Sequence, residues 1–115
     1  MNFTQNKLIT RMKLLVYQHK RRFQIRKDRN YKDELAKIGI TVNDAWNHIL
    51  SLNSNFYYPD TKMSYRQSKD TLIFKKTINN ILVYIKLKIE KKENDEEVVC
   101  LSFHKDGEKY EMWKL

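Results

Sequence analysis

The sequence predicts an α+β fold in which N-terminal helices pack on a C-terminal antiparallel sheet. Apolar residues recur at helical spacing through the first half of the chain, and they alternate with polar residues through most of the second half. The chain has 115 residues and is 41% hydrophobic, which suits one globule with its own core. We therefore expect residues 1–115 to form a single domain.

The first predicted helix lies in the segment "TQNKLITRMKLLVYQHK". Leu8, Met12 and Leu15 fall at helical spacing there, and the basic residues lie elsewhere around the helix. The next segment, "RRFQIRK", places Phe23 and Ile25 on one side of an extended chain. The N-terminal region is thus predicted to be an amphipathic helix followed by a short strand.

Two further helices are indicated by the residues at their ends. Asn30 is a suitable N-cap for the segment "NYKDELAKIG", and Gly39 is a suitable C-cap. Thr41 then begins another helix, with Asp44 three residues later as a variant of the capping box. Trp46 lies on the apolar stripe of that helix, so we expect it in the core.

The hydrophobic period changes to two after a turn at Pro59 and Asp60. The predicted strands, in chain order, are "MSYRQS", "TLIFKKTI", "ILVYIKLKIE", "EEVVCLSFH" and "KYEMWKL". Short strands separated by polar turns are typical of an antiparallel meander.

The third and fourth of these strands form a hairpin whose two faces differ in chemistry. The residues assigned to the core face are Val83, Ile85, Leu87, Ile89, Val99, Leu101 and Phe103. Tyr84, Lys86 and Lys88 then fall on the opposite face, and so does His104. A face with this composition carries side chains suited to an RNA phosphate.

The register of the hairpin brings two of these side chains together. A loop over residues 93–95 pairs Lys92 with Glu96, which sets Tyr84 directly opposite His104. Opposed residues have Cβ atoms about 4.5 to 5.5 Å apart, so both side chains can act on one phosphate. Metal-free RNA cleavage needs a base, an acid and cations for the charged phosphorane, and this face can supply all three.

Other chemistries find no support in the sequence. Two glycines cannot build a glycine-rich phosphate loop, and no histidine pair has zinc-ligand spacing. Cys100 is the only cysteine, and its apolar surroundings predict a buried, inert thiol. We therefore expect no metal and no cofactor.

Positive charge is concentrated at the N-terminus. Residues 1–38 hold 11 Lys or Arg against three acids, and the net charge of the whole chain is +9. Such a block attracts polyanions, of which nucleic acid is the commonest in cells. An acidic protein partner, or a merely soluble basic surface, would also account for it.

The apolar runs are too short to cross a bilayer, and the first residues lack the features of a secretory signal. We therefore expect a cytoplasmic protein without membrane contact.

Four segments together resemble the MqsR (motility quorum-sensing regulator) family of mRNA interferase toxins. They are "ITRMKLLV", "ELAKIGITVNDAWNHILSLNSNFY", "VYIKLKI" and "VVCLSFHKD". The resemblance covers most of residues 9–105 and implies a RelE-like fold. It also implies a type II toxin that cleaves mRNA, either free or on the ribosome, and that a cognate antitoxin inhibits.

The resemblance also implies roles for individual residues. Tyr84 falls on the family's active-site tyrosine, and His104 falls where MqsR has a functional lysine. Lys75 is assigned to the position of the family's active-site glutamine. The remaining residues assigned to RNA binding are Tyr58, Lys62, Arg66, Lys86 and Lys105. Tyr58 and Pro59 replace the family's lysine after Phe-Tyr, so Lys62 or Arg66 is expected to supply that cation.

Two alternatives remain open at this point. A basic RNA-binding or ribosome-binding module with the same fold would bind RNA without cleaving it. A protein-interaction module would instead use its basic surface to dock an acidic partner.

Overall fold

A computed structural model describes residues 1–107, which form four helices, one 3₁₀ turn and four strands. In chain order these are α1 (Phe3–Tyr17), β1 (Arg21–Phe23), α2 (Tyr31–Ile38), α3 (Val42–Leu50), the 3₁₀ turn (Ser54–Phe56), α4 (Tyr65–Ser68), β2 (Thr71–Ile78), β3 (Ile81–Lys92) and β4 (Asp95–Lys105). The predicted α+β class is confirmed.

The strands form one sheet in the order β1-β4-β3-β2. β2, β3 and β4 are antiparallel neighbours, as the alternating pattern predicts. β1 instead pairs in parallel with β4, from Arg21 opposite Val98 to Phe23 opposite Cys100. The sheet is therefore mixed, because the short strand after α1 adds to its edge in the same direction as β4.

The predicted helix ends are confirmed. Asn30 accepts a hydrogen bond from the Lys32 amide (2.9 Å), and Gly39 ends α2 with a left-handed φ of 83°. Thr41 and Asp44 form a reciprocal capping box at the start of α3, with hydrogen bonds of 3.1 and 2.9 Å. Within residues 1–107, no helix is long and apolar enough to cross a bilayer.

The first predicted strand of the meander, "MSYRQS", is wrong. Ser64 caps α4 instead, since its hydroxyl accepts from the Gln67 amide (3.2 Å) and the Gln67 side chain accepts from the Ser64 amide (3.1 Å). This local capping box outweighs the apolar-polar alternation of the segment. The last predicted strand, "KYEMWKL", lies outside the described residues.

The three longer helices cover one face of the sheet and bury a single apolar cluster. Met12 of α1, Ile38 of α2 and Trp46 of α3 are almost fully buried in it. The sheet residues in this cluster are Phe23, Leu72, Phe74, Ile78, Val83, Ile85, Leu87, Ile89, Val98, Cys100 and Phe103. The opposite face, here called the open face, carries the polar side chains of β2, β3 and β4 and also Ile73 and Val99, which are buried.

The pairing of β4 with β3 differs from the prediction at the turn and at a β-bulge. The turn contains Glu93 and Asn94, so Lys92 pairs with Asp95 rather than Glu96. The register then shifts by one residue between Lys86 and Leu87.

This shift changes which residues of β4 reach the core. Val98 and Cys100 join the apolar cluster, whereas Val99 and Leu101, which were predicted there, do not. Phe103 keeps its predicted place because it lies beyond the bulge. The one-residue error at the turn and the bulge cancel, so Tyr84 does lie opposite His104.

Candidate functional site

Three residues assigned to catalysis form a row across three adjacent strands. Lys75 of β2 pairs with Tyr84 of β3, and Tyr84 pairs with His104 of β4. Directly opposed residues of an antiparallel sheet project to the same face, so all three lie on the face away from α1, α2 and α3. The sheet itself therefore fixes their order and spacing.

The rings of Tyr84 and His104 are stacked. Their centroids are 5.3 Å apart and their planes differ by 23°. His104 Nδ1 lies 2.8 Å from the Lys105 carbonyl oxygen. Because a carbonyl oxygen only accepts, the hydrogen bond places the proton of the neutral ring on Nδ1, which makes Nε2 the basic nitrogen of that tautomer.

The Tyr84 hydroxyl is a hydrogen-bond donor at neutral pH. Burial raises the pKa of the Tyr84 phenol above its usual 10, and the negative charges of Asp60 and Asp106 raise it further. The side chain is half-buried, so it stays neutral and can donate to a phosphate oxygen without carrying charge itself.

Lys75 is held at the other end of the row by two contacts. Its Nζ lies 3.2 Å from an Asp106 carboxylate oxygen and 3.9 Å from the centre of the Tyr58 ring. The Tyr58 amide donates to the Ile73 carbonyl oxygen (2.9 Å), which fixes that ring beside β2. Tyr58 thus positions the cation of the row.

The other residues assigned to RNA binding differ in their position relative to the row. Lys86 follows Tyr84 on the same face of β3, and Arg66 of α4 lines a cleft with it. Lys62 is exposed in the loop before α4, where its amide donates to Asp60 (2.9 Å). Lys105 pairs with Val83 and so lies on the helix-covered face, which separates it from the row.

Much of the N-terminal positive charge is paired within the fold. At least six of the 11 cations in residues 1–38 form ion pairs. These are Arg11–Glu96, Lys20–Asp95 (2.9 Å), Arg22–Glu90, Arg22–Glu97 (2.7 Å), Arg26–Asp28 (3.0 Å), Arg29–Glu34 (3.2 Å) and Lys37–Glu34 (3.7 Å). The acids of the hairpin thus neutralise part of the block predicted to attract polyanions.

A second polar cluster, which the sequence does not signal, joins α3 to β2. Lys76 Nζ lies 3.0 Å from His48 Nδ1 and donates to the Ser51 hydroxyl (2.7 Å). Burial lowers the pKa of Lys76, and the same cation lies 5.3 Å from the Phe56 ring centre. His48 and Ser51 are neighbours at the end of α3, and only the fold brings Lys76, 25 residues beyond Ser51, to them.

Acidification is expected to weaken this cluster. The pKa of His48 lies below its usual 6.5, mainly because the ring is partly buried and secondly because Lys76 is positively charged. The Asp44 carboxylate acts in the opposite direction and raises this pKa. Below about pH 6.5 the unfolded chain therefore binds more protons, and the free energy of unfolding falls as the pH drops towards the folded-state pKa. We expect a loss of about 0.5 kcal/mol or less, because His48 is only half-buried. Urea unfolding at pH 7.5 and pH 5 measures this loss of unfolding free energy. The difference between the two pH values should be smaller in His48→Gln than in the wild type. An equal difference in both proteins would contradict the role of His48.

The Cys100 thiol lies in the apolar cluster, as predicted. It is buried, and burial raises its pKa far above the usual range for a thiol. Residues 1–107 contain no group of three or more His, Cys, Asp or Glu side chains placed to hold a metal ion.

Comparisons with protein-family models, with curated proteins and with solved structures find no match to this chain. The resemblance to the MqsR family therefore stays a prediction, and so do the RelE-like fold and the activity that it implies.

Proposed function

We propose that the chain is a metal-independent endoribonuclease that cleaves mRNA and acts as the toxin of a type II toxin-antitoxin system. The observation that carries this proposal is the row of Lys75, Tyr84 and His104 on the open face of the sheet. An imidazole can transfer the protons in cleavage by the ribose 2′-hydroxyl, and a cation and a neutral hydroxyl donor can stabilise the charge that develops.

In the proposed reaction the ribose 2′-oxygen attacks phosphorus and the 5′-oxygen leaves. A base takes the proton of the 2′-hydroxyl, and an acid returns one to the 5′-oxygen. The products are a 2′,3′-cyclic phosphate and a 5′-hydroxyl. We assign the proton transfer to His104 Nε2, and charge stabilisation of the phosphorane to Lys75 and to the Tyr84 hydroxyl.

Access to the three groups is unequal. Lys75 and Tyr84 are partly exposed, whereas only 7% of His104 is exposed. Substrate can therefore contact Lys75 and Tyr84 directly, but it must gain access to the imidazole before a proton can move. This low exposure favours one alternative, a basic module that binds RNA on the same face without cleaving it.

The proposal has consequences for partners and location. It places the protein in the cytoplasm with mRNA, either free or on the ribosome, and it implies a cognate antitoxin that restrains it. The third possibility, docking of an acidic partner on the N-terminal cations, has less support because many of those cations are already paired within the fold.

Incubation of the purified protein with a long single-stranded RNA tests the reaction. We expect cleavage that a chelator does not inhibit, with 2′,3′-cyclic phosphate and 5′-hydroxyl ends on the products. Salt-sensitive binding without products would instead support the non-catalytic module. If the protein neither binds nor cleaves RNA, the protein-interaction module is the remaining alternative.

A further inference from the structure

A cleft of about 320 Å³ adjoins the row on the open face of the sheet. It is lined by Arg66 of α4, by Lys86 and Lys88 of β3, and by Leu101 of β4. Leu101 is the residue left unpaired by the β-bulge. The bulge thus supplies an apolar side chain to a cleft whose other lining is polar and consists of these three cations with Gln67, Asp70 and Thr71.

The cations of the cleft continue the line that Tyr84 begins. Tyr84, Lys86 and Lys88 are alternate residues of β3, so they project from one face about 6.6 Å apart. Neighbouring phosphates of an extended RNA strand have a similar separation. A strand held at Tyr84 would therefore carry its next phosphates over Lys86 and Lys88.

These cations differ from most of those at the N-terminus. Among the described residues, Arg66, Lys86 and Lys88 form no ion pair. One carboxylate, that of Asp70, also lines the cleft, where it accepts a hydrogen bond from the Thr71 hydroxyl (2.9 Å). The lining therefore keeps a net positive charge that is available to an anionic ligand.

We infer that this cleft is a second nucleotide subsite, in which Arg66, Lys86 and Lys88 bind the backbone phosphates that follow the one at Tyr84, and Leu101 packs against a base. A cleft of this size is near the lower limit for ligand pockets, so it suits a single nucleotide of a longer strand. The ligand is single-stranded RNA that runs along β3, because a base can reach Leu101 only when it is unpaired. The inference rests on the proposed function, since it extends the same site.

Binding of uncleavable RNA tests the subsite. RNA that is 2′-O-methylated throughout cannot undergo attack by the 2′-oxygen, so dissociation constants for a dinucleotide and a hexanucleotide can be measured by fluorescence anisotropy. We expect Arg66→Ala and Lys88→Ala each to weaken hexanucleotide binding about three- to tenfold and to lower its salt dependence by about 0.7 in the log-log slope. Dinucleotide binding should change little.

Lys32→Ala is the matched control, because it removes one exposed positive charge from α2 on the helix side. Lys88→Gln removes the charge but keeps a long polar side chain, and it replaces Lys88→Ala should that variant fail to fold. Equal affinity in the wild type and the Arg66 and Lys88 variants, or an equal loss in the control, would overturn the inference.

The result is separable from the proposed function. The expected binding pattern in a protein that cleaves no ordinary RNA would support the subsite and contradict the endoribonuclease. Cleavage of ordinary RNA by a protein whose Arg66 and Lys88 variants keep full affinity would support the endoribonuclease and contradict the subsite.

Discussion

Replacing His104 with alanine is expected to lower the rate of RNA cleavage by about 10²- to 10⁴-fold, the usual contribution of a positioned acid or base. The loss should fall on kcat, because the cations that hold the substrate are unchanged. Single-turnover cleavage of a defined RNA by the purified protein measures the effect.

Two further variants separate chemistry from folding. His104 is buried, so alanine leaves space beside Tyr84; His104→Gln keeps more of the volume and still removes the titratable ring. His19→Asn removes an exposed imidazole at a position with φ of 63°, which asparagine tolerates, and it should cleave at the wild-type rate. Full activity in a folded His104→Gln would exclude His104 from proton transfer.

Tyr84→Phe is expected to lower kcat by about 10²- to 10³-fold, which is the typical effect of losing one donor to a developing negative charge. The substitution keeps the ring that stacks on His104 and removes only the hydroxyl. Because burial and nearby carboxylates hold the phenol neutral, the wild-type hydroxyl donates throughout the neutral pH range. Single-turnover rates at pH 6 to 9 measure the loss, which should be similar at each pH.

Tyr17→Phe is the matched control, since that side chain is 73% exposed on α1 and lies outside the row. It should leave cleavage unchanged. A Tyr84→Phe variant as active as this control would mean that Tyr84 serves only to pack against His104.

The elements that the sequence predicts correctly are those with local causes. The caps at Asn30 and Thr41 are satisfied by atoms two or three residues away, so their residue types are sufficient to place α2 and α3. The alternation in β3 reflects burial of one face, and it is sufficient to show which side chains of β3 face away from the core.

The errors have causes that lie outside the local pattern. The bulge at Leu101 depends on how β4 pairs with β3, and the parallel pairing of β1 depends on where the chain returns after α1. In α4 a capping box of two residues overrides an alternation that resembles a strand. None of these can be read from apolar spacing alone.

The candidate site was predicted in part. The pairing of Tyr84 with His104 follows from the hairpin, and the structure adds Lys75 to the same row. The alternation in β3 predicts the correct face for Lys88. The cleft that Lys88 lines is not predicted, because α4 and the bulged residue Leu101 form its other walls. Asp106, which binds Lys75, follows β4 and is not distinguished by any pattern in the sequence.

The proposed cleavage of mRNA can be tested in cells by inducing the wild type and His104→Ala in a bacterial host and following growth together with the 5′ ends of total mRNA. We expect growth arrest with new, sequence-biased 5′ ends in the wild type, and neither in the variant. Soluble wild-type protein that causes no arrest and no new ends would contradict the proposed cleavage, and would leave the row of Lys75, Tyr84 and His104 as part of a surface that binds without cleaving.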